Sequence, residues 1–133
     1  MKPKIYIAHS SGYDFINNLY QPIKISKLWE KYEFILPHDN RDYHPDSKNE
    51  IHNSKVFIAE ISYPSTGAGI EIGWADAYNI PIIFFHNHTY NPPAYFNTMS
   101  PNVIEYDDPD EIPNLLEPVL KELIWITKNS KPL

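Results

Sequence analysis

The 133-residue chain contains no cysteine and only four glycines. Without cysteine there are no disulfides, thiolate nucleophiles or cysteine-ligated zinc, which fits a reducing, cytoplasmic setting. Positive charge is also short: 11 Lys and Arg against 17 Asp and Glu leave a net charge of −6. That balance argues against a nucleic-acid polymer as partner, because polyphosphate binding draws on clustered cations that release counterions. No apolar run reaches bilayer length, and MKPKIYIAH enters a strand-like segment with no secretion-type apolar region, so no membrane association is expected.

What is present describes a globular chain with a small-molecule ligand. Hydrophobic residues make up 42 % and charged residues 21 %, the range of ordinary soluble domains. The length predicts a single domain over 1–133. Thirteen prolines and ten tyrosines stiffen loops and offer aromatic surface to a planar ring, although many of the tyrosines are expected in the core.

Short apolar runs predict five strands, at 4–8, 33–36, 56–61, 81–85 and 103–106. VFIAEI and PIIFF are nearly continuous rather than alternating, as in parallel strands covered on both faces. Phe15, Leu19, Ile23, Leu28, Trp29 and Tyr32 keep helical spacing, with Pro22 marking a kink or restart. Ser47 to Glu50 reads as a capping box opening a short helix, 67–78 as a second helix, and Ile112 to Leu123 as a long amphipathic one behind Pro109. Strands alternating with helices predict an α/β fold, a doubly wound five-stranded parallel sheet in a flavodoxin-like, Rossmann-like three-layer sandwich of order 2-1-3-4-5. Its crevice lies between the first and third strands, at 9–13 and 62–71, and the long stretch 86–102 is expected to be functional or partner-contacting.

YPSTGAGIEIGWA, from Tyr63 to Ala75, is the richest segment. Small residues at Gly67 and Gly69 let a ligand approach the backbone, Ser65 and Thr66 bring hydroxyls to a helix N-terminus that favours anions, and Glu71 follows a turn later. On these residues alone a second reading stands beside the first: the glycines permit tight helix–sheet packing and Glu71 complements the helix dipole.

VFIAEISYPSTGAGIEIGWA resembles the signature of the nucleoside 2-deoxyribosyltransferase family and its relatives, the 2′-deoxynucleoside 5′-phosphate N-hydrolases: an apolar strand, a polar turn, then G-x-G-x-E-x-G-x-A. The resemblance implies that Glu71 is the nucleophile. It aligns Tyr6 of IYIAHSSG with the tyrosine of the family's first strand. It sets Asn40 and Arg41, in PHDNR, on the loop bordering the nucleobase. An acidic residue some two dozen positions before the nucleophile contacts the base in such proteins, for which Asp46 is the nearest candidate. Asn97 and Met99 resemble residues that enter the neighbouring subunit's site, implying a homodimer or higher homo-oligomer.

Ser65 stands where the nucleotide hydrolases carry a serine for the 5′-phosphate, whereas Asn97 leans toward the transferases. The first loop, His9, Ser10, Ser11 and Gly12, lacks the arginine of the hydrolases; a protonated His9 could meet a phosphate, though a surface-loop histidine is the plainer reading. None of the six histidines has metal-ligand spacing, and neither a metal nor a cofactor is expected. The implied function is cleavage of the N-glycosidic bond of a (2′-deoxy)nucleoside 5′-monophosphate or nucleoside through a glycosyl-Glu71 intermediate, with Asp46 delivering a proton to the base. Alternatives are base exchange between nucleosides, a non-catalytic nucleotide-sensing module on the same sheet, and, last, removal of nicotinamide from a dinucleotide.

Overall fold

The first strand, β1 (Lys4–Ala8), divides its side chains between two buried faces, Ile5 and Ile7 to one and Tyr6 and Ala8 to the other. This period of two decides which layer each residue serves. In the structure, a computed structural model describing residues 1–40 and 46–129, β1 pairs in parallel with β2 (Glu33–Ile35) and β3 (Val56–Glu60). Beyond β3 lie β4 (Ile82–Asn87) and β5 (Val103–Tyr106), giving the order β2-β1-β3-β4-β5 that the sequence predicts. All five residues of β3 are buried, as its continuous apolar run requires of a strand covered on both sides.

One face of the sheet carries a π-helical turn (Ile16–Tyr20), α1 (Gln21–Lys24), α2 (Leu28–Lys31) and α6 (Ile112–Asn129); Leu19, Ile23, Leu28, Leu116 and Leu120 pack on Ile5, Ile7, Ile58 and Phe85. The opposite face carries α3 (Ser47–His52), α4 (Thr66–Ala77) and α5 (Phe96–Met99), with Ile51, Ala68, Ile72 and Ala75 against Tyr6, Phe57, Ala59 and Phe84. Tyr6 therefore points toward α3 and α4.

Pro22 explains the π turn: lacking an N–H and crowding the carbonyl four residues back, it is accommodated by a wider turn, in which Gln21 N–H bonds Ile16 O. At the end of α4 the helix closes on Asn79, with φ of 58°. Asn79 N–H bonds Asp76 O at 3.1 Å and Ile80 N–H bonds Ala75 O at 3.0 Å, a left-handed C-terminal cap that turns the chain into β4.

Two local expectations need correction. The N-cap of α3 is Asp46, not Ser47: its carboxylate accepts from Asn49 N–H at 3.2 Å, and Glu50 pairs with Lys4 at 3.1 Å instead of reaching back to the cap. The stretch 86–102 is less open than its length suggests, since β4 runs on to Asn87 and Phe96–Met99 forms a helical turn.

Candidate active site

Alternation in β1 aims Tyr6 at α4, and the Tyr6 hydroxyl donates a short hydrogen bond to the carboxylate of Glu71. Tyr6 is fully buried, its ring stacked on Phe57 with 5.7 Å between centroids and 3° between planes, so the hydroxyl has little freedom to leave Glu71. Ser47, in the first turn of α3, lies with its Oγ 2.9 Å from Tyr6 Oη and also hydrogen-bonds Glu71. Glu71 is half-buried. Burial raises its pKa above the ordinary carboxylate value, and the bonds from Tyr6 and Ser47, with the nearby His38, pull in the opposite direction without cancelling it. Burial together with the neighbouring Glu71 charge pushes the Tyr6 phenol up, so it stays a donor.

The N-terminus of α4 begins five residues before Glu71. Ser65 caps it, its Oγ accepting from Ala68 N–H at 3.1 Å, which leaves the first-turn N–H groups of Thr66 and Gly67 without intrahelical acceptors. A Cβ on Gly67, Gly69 or Gly73 would meet nothing within 4 Å. Tight helix–sheet packing therefore does not account for these glycines, and Gly69 and Gly73, four residues apart, leave one face of the helix open along a cleft.

His9 is not a surface histidine. It is 4 % exposed; its Nδ1–H donates to Ser10 O at 2.8 Å and its Nε2 accepts from the Tyr20 hydroxyl at 2.6 Å. Burial chiefly, helped by His38, lowers its pKa to about 4, so the ring is neutral near pH 7 and the charged, phosphate-facing role expected of it does not fit. Ser10 is buried and accepts from Gly12 N–H at 3.0 Å, while Ser11 and Gly12 are exposed. Past them Tyr13 stacks on Tyr63 at 4.6 Å and Tyr63 meets Tyr90 at 4.8 Å, an aromatic chain across three loops.

The other candidates are dispersed. Asp46 is exposed and engaged as the α3 cap. Asn40 is exposed beside Asp39, and Arg41 lies outside the described residues. Asn97 is exposed on α5, and Met99 lines a cleft of about 580 Å³ with Ser65, Gly69, Ile72, Tyr63 and Phe96. Neither Glu71 nor Tyr6 lines that cleft. Among the described residues no group of three or more His, Asp or Glu is placed to hold a metal ion.

Sequence reasoning missed three residues. Ser47 was given Asp46's role as cap, and only the helix register shows that Ser47 turns toward Glu71. Glu60, read as part of an apolar strand, is 2 % exposed; it accepts from Ser62 N–H, from Ser62 Oγ at 2.9 Å and from Tyr106, and burial raises its pKa. His38, in the loop after β2, had no assigned role, yet its ring lies 5.2 Å from that of His9 and its charge is felt at Glu71.

No family model matches the chain. A protein of Syntrophotalea carbinolica that carries the inferred name 2′-deoxynucleoside 5′-phosphate N-hydrolase 1 is 36 % identical over 77 residues, covering 56 % of this chain and 51 % of the relative. The match thus spans about half the length of that relative. Among solved structures, a CMP N-glycosidase of Clostridium botulinum superposes with a TM-score of 0.61 at 24 % identity, over 86 % of this chain and 98 % of that one. A signal receiver domain of Vibrio parahaemolyticus superposes equally well, TM-score 0.61, at 14 % identity over 99 % of this chain and 100 % of that one. Equal scores for an enzyme and a receiver domain mean that superposition carries the fold alone. The sequence relative carries more: it supports the similarity first read from VFIAEISYPSTGAGIEIGWA, to the family of nucleoside 2-deoxyribosyltransferases and 2′-deoxynucleoside 5′-phosphate N-hydrolases.

Proposed function

We propose that this chain hydrolyses the N-glycosidic bond of a 2′-deoxynucleoside 5′-monophosphate, with Glu71 as nucleophile. The observation that carries the reading is the half-buried Glu71 carboxylate, oriented by Tyr6 and Ser47 at the carboxyl edge of the sheet, where ligands of such folds bind. Glu71 attacks C1′, the C1′–N bond breaks with its electron pair leaving on the base, and a glycosyl ester forms; water then attacks C1′ and returns the carboxylate. The Ser65 hydroxyl and the first-turn N–H groups of α4 suit a 5′-phosphate. The names of the Syntrophotalea and Clostridium proteins favour a nucleotide substrate.

Base exchange is the second reading, since a nucleobase can replace water at the ester, and Asn97 is the residue in its favour. Both readings include a homodimer in which Asn97 and Met99 reach the neighbouring site. Tyr95, which lines the cleft, is 59 % exposed and suits such a contact.

The test is release of free base, followed by chromatography, from deoxynucleosides and their 5′-monophosphates, with and without an acceptor base, for wild type and Glu71→Ala. Release from monophosphates that is lost in the variant is expected. Exchange only in the presence of acceptor would support the transferase. Binding without release, undisturbed by Glu71→Ala, would support a non-catalytic module and sink the enzymatic reading.

A further inference from the structure

Glycosyl transfer to Glu71 leaves electron density on the departing base, which needs a proton. Asp46 is exposed and its carboxylate is held on the Asn49 N–H as the cap of α3. Among the described residues, the groups that interact with Glu71 include Tyr6, Ser47, His38 and the buried Tyr20, whose hydroxyl is engaged with His9 and the His38 N–H. The Tyr6 proton is committed to Glu71 itself, and Ser47 is a hydroxyl bonded to both.

His38 differs from these in being exposed and ionisable. Its position follows from the sheet. Tyr6 of β1 lies opposite Ile35 of β2, so the loop leaving β2 rises beside the loop leaving β1, at the same carboxyl edge as Glu71. There the backbone is pinned, His38 N–H donating to Tyr20 Oη at 3.1 Å, while the imidazole rests on Phe15 and His9, with ring centroids 5.7 Å and 5.2 Å away. His9 is neutral and fully bonded, so it supports the ring without competing for the proton.

We infer that His38 is the proton donor to the departing base, and then the base that activates water, in the reaction carried by Glu71. This rests on the function proposed above. In the first step the Glu71 carboxylate forms the C1′–O bond, the C1′–N bond breaks, and the imidazolium N–H passes its proton to the nitrogen or oxygen that receives the electron pair. In the second step neutral His38 takes a proton from water as its oxygen attacks C1′ and Glu71 leaves as carboxylate. Base and water occupy the same side of the sugar in such a double displacement, so one residue serves both steps.

The charged and titratable groups around His38 are Glu71 from α4, His9 from the end of β1, Tyr20 from the π-helical turn, and Asp39 beside it, which is paired with Lys24 at 2.6 Å. Turnover needs His38 protonated and Glu71 ionised. Activity therefore falls at low pH as Glu71, whose pKa burial raises, takes up a proton.

The experiment compares wild type, His38→Gln and His38→Asn on a deoxynucleoside 5′-monophosphate and on 4-nitrophenyl 2-deoxyribofuranoside 5-phosphate, whose leaving group needs no proton. For the nucleotide, kcat/KM is expected to fall about 10²- to 10³-fold, while glycosylation by the nitrophenyl substrate stays within about threefold, measured as the burst of nitrophenolate. That burst also shows that the variants are folded. Equal losses on both substrates, or an unchanged nucleotide rate, would overturn the role of His38. If wild type cleaves neither substrate, the Glu71 reading falls and this one with it; cleavage lost in Glu71→Ala but indifferent to His38 overturns this one alone.

Discussion

Tyr6 and Glu71, 65 positions apart in sequence, meet at the carboxyl edge of the sheet through a hydroxyl-to-carboxylate hydrogen bond. The contact exists because alternation along β1 turns Tyr6 to the α4 side while α4, capped at Ser65, brings Glu71 round one turn later. Tyr6→Phe removes a bond that lowers the pKa of Glu71 and leaves the burial that raises it. The pKa of Glu71 therefore moves further up, and because the proposed nucleophile must be ionised, the low-pH limb of kcat is expected to move to higher pH. A charge-assisted hydrogen bond is worth about 1.5–3 kcal/mol, so kcat is expected to drop about ten- to hundredfold. A kcat–pH profile of Tyr6→Phe that superposes on wild type would refute the orienting role.

Ser65 caps α4 and, in the proposed reaction, meets the 5′-phosphate, two roles that one substitution separates. Ser65→Ala removes the cap on Ala68 N–H and is expected to lower unfolding free energy by about 1 kcal/mol. If the same hydroxyl meets a 5′-phosphate, KM for the monophosphate rises while KM for the free nucleoside does not. Parallel increases for both substrates would mean that the serine is a cap only.

The alternation of strands and helices, the strand order and the two-faced burial of β3 could be read from sequence because they follow from periodicity, and periodicity is local. Glu71 could be read as a candidate because its spacing from Gly67 and Gly69 carried a resemblance. Ser47 and Asp46 show where reading stops. Both residues are good cap formers, and which one caps depends on the entry angle of α3, set by how Ile51 packs under Tyr6 and Phe57. Glu60 failed for a related reason: beside the nearby Ser62, its partner Tyr106 arrives from β5, so the strand motif alone makes it look misplaced.

Glu60 makes a prediction about stability against pH. Burial raises its folded-state pKa above that of the unfolded chain, so the protonated form is favoured on folding. Its contribution is fully present below the unfolded-state pKa and is lost as pH rises through the raised folded value. Glu60→Gln, which keeps a neutral side chain of the same shape, is expected to flatten that part of the stability–pH curve in chemical denaturation. Glu60→Ala instead leaves Ser62 and Tyr106 without their acceptor and is expected to lower stability by about 1–3 kcal/mol at all pH values. A Glu60→Gln curve with the wild-type slope would show that another group titrates.

Gly73 tests what covers the open face of α4. Glycine inside a helix costs about 0.5–1 kcal/mol relative to alanine, and a Cβ at Gly73 meets nothing within 4 Å in its own chain. Within a single chain, Gly73→Ala is therefore expected to be stabilising, raising Tm by a few degrees in dilute solution. If a second copy packs on this face, as the proposed dimer suggests, the added methyl stands between two backbones and self-association weakens, an effect read by sedimentation across a concentration series. The expected result is both at once: higher Tm at low concentration and a shift toward monomer. Higher Tm with unchanged association would move the dimer contact away from α4 and leave the exposed Tyr95 and Asn97 side of the cleft as the surface to test next.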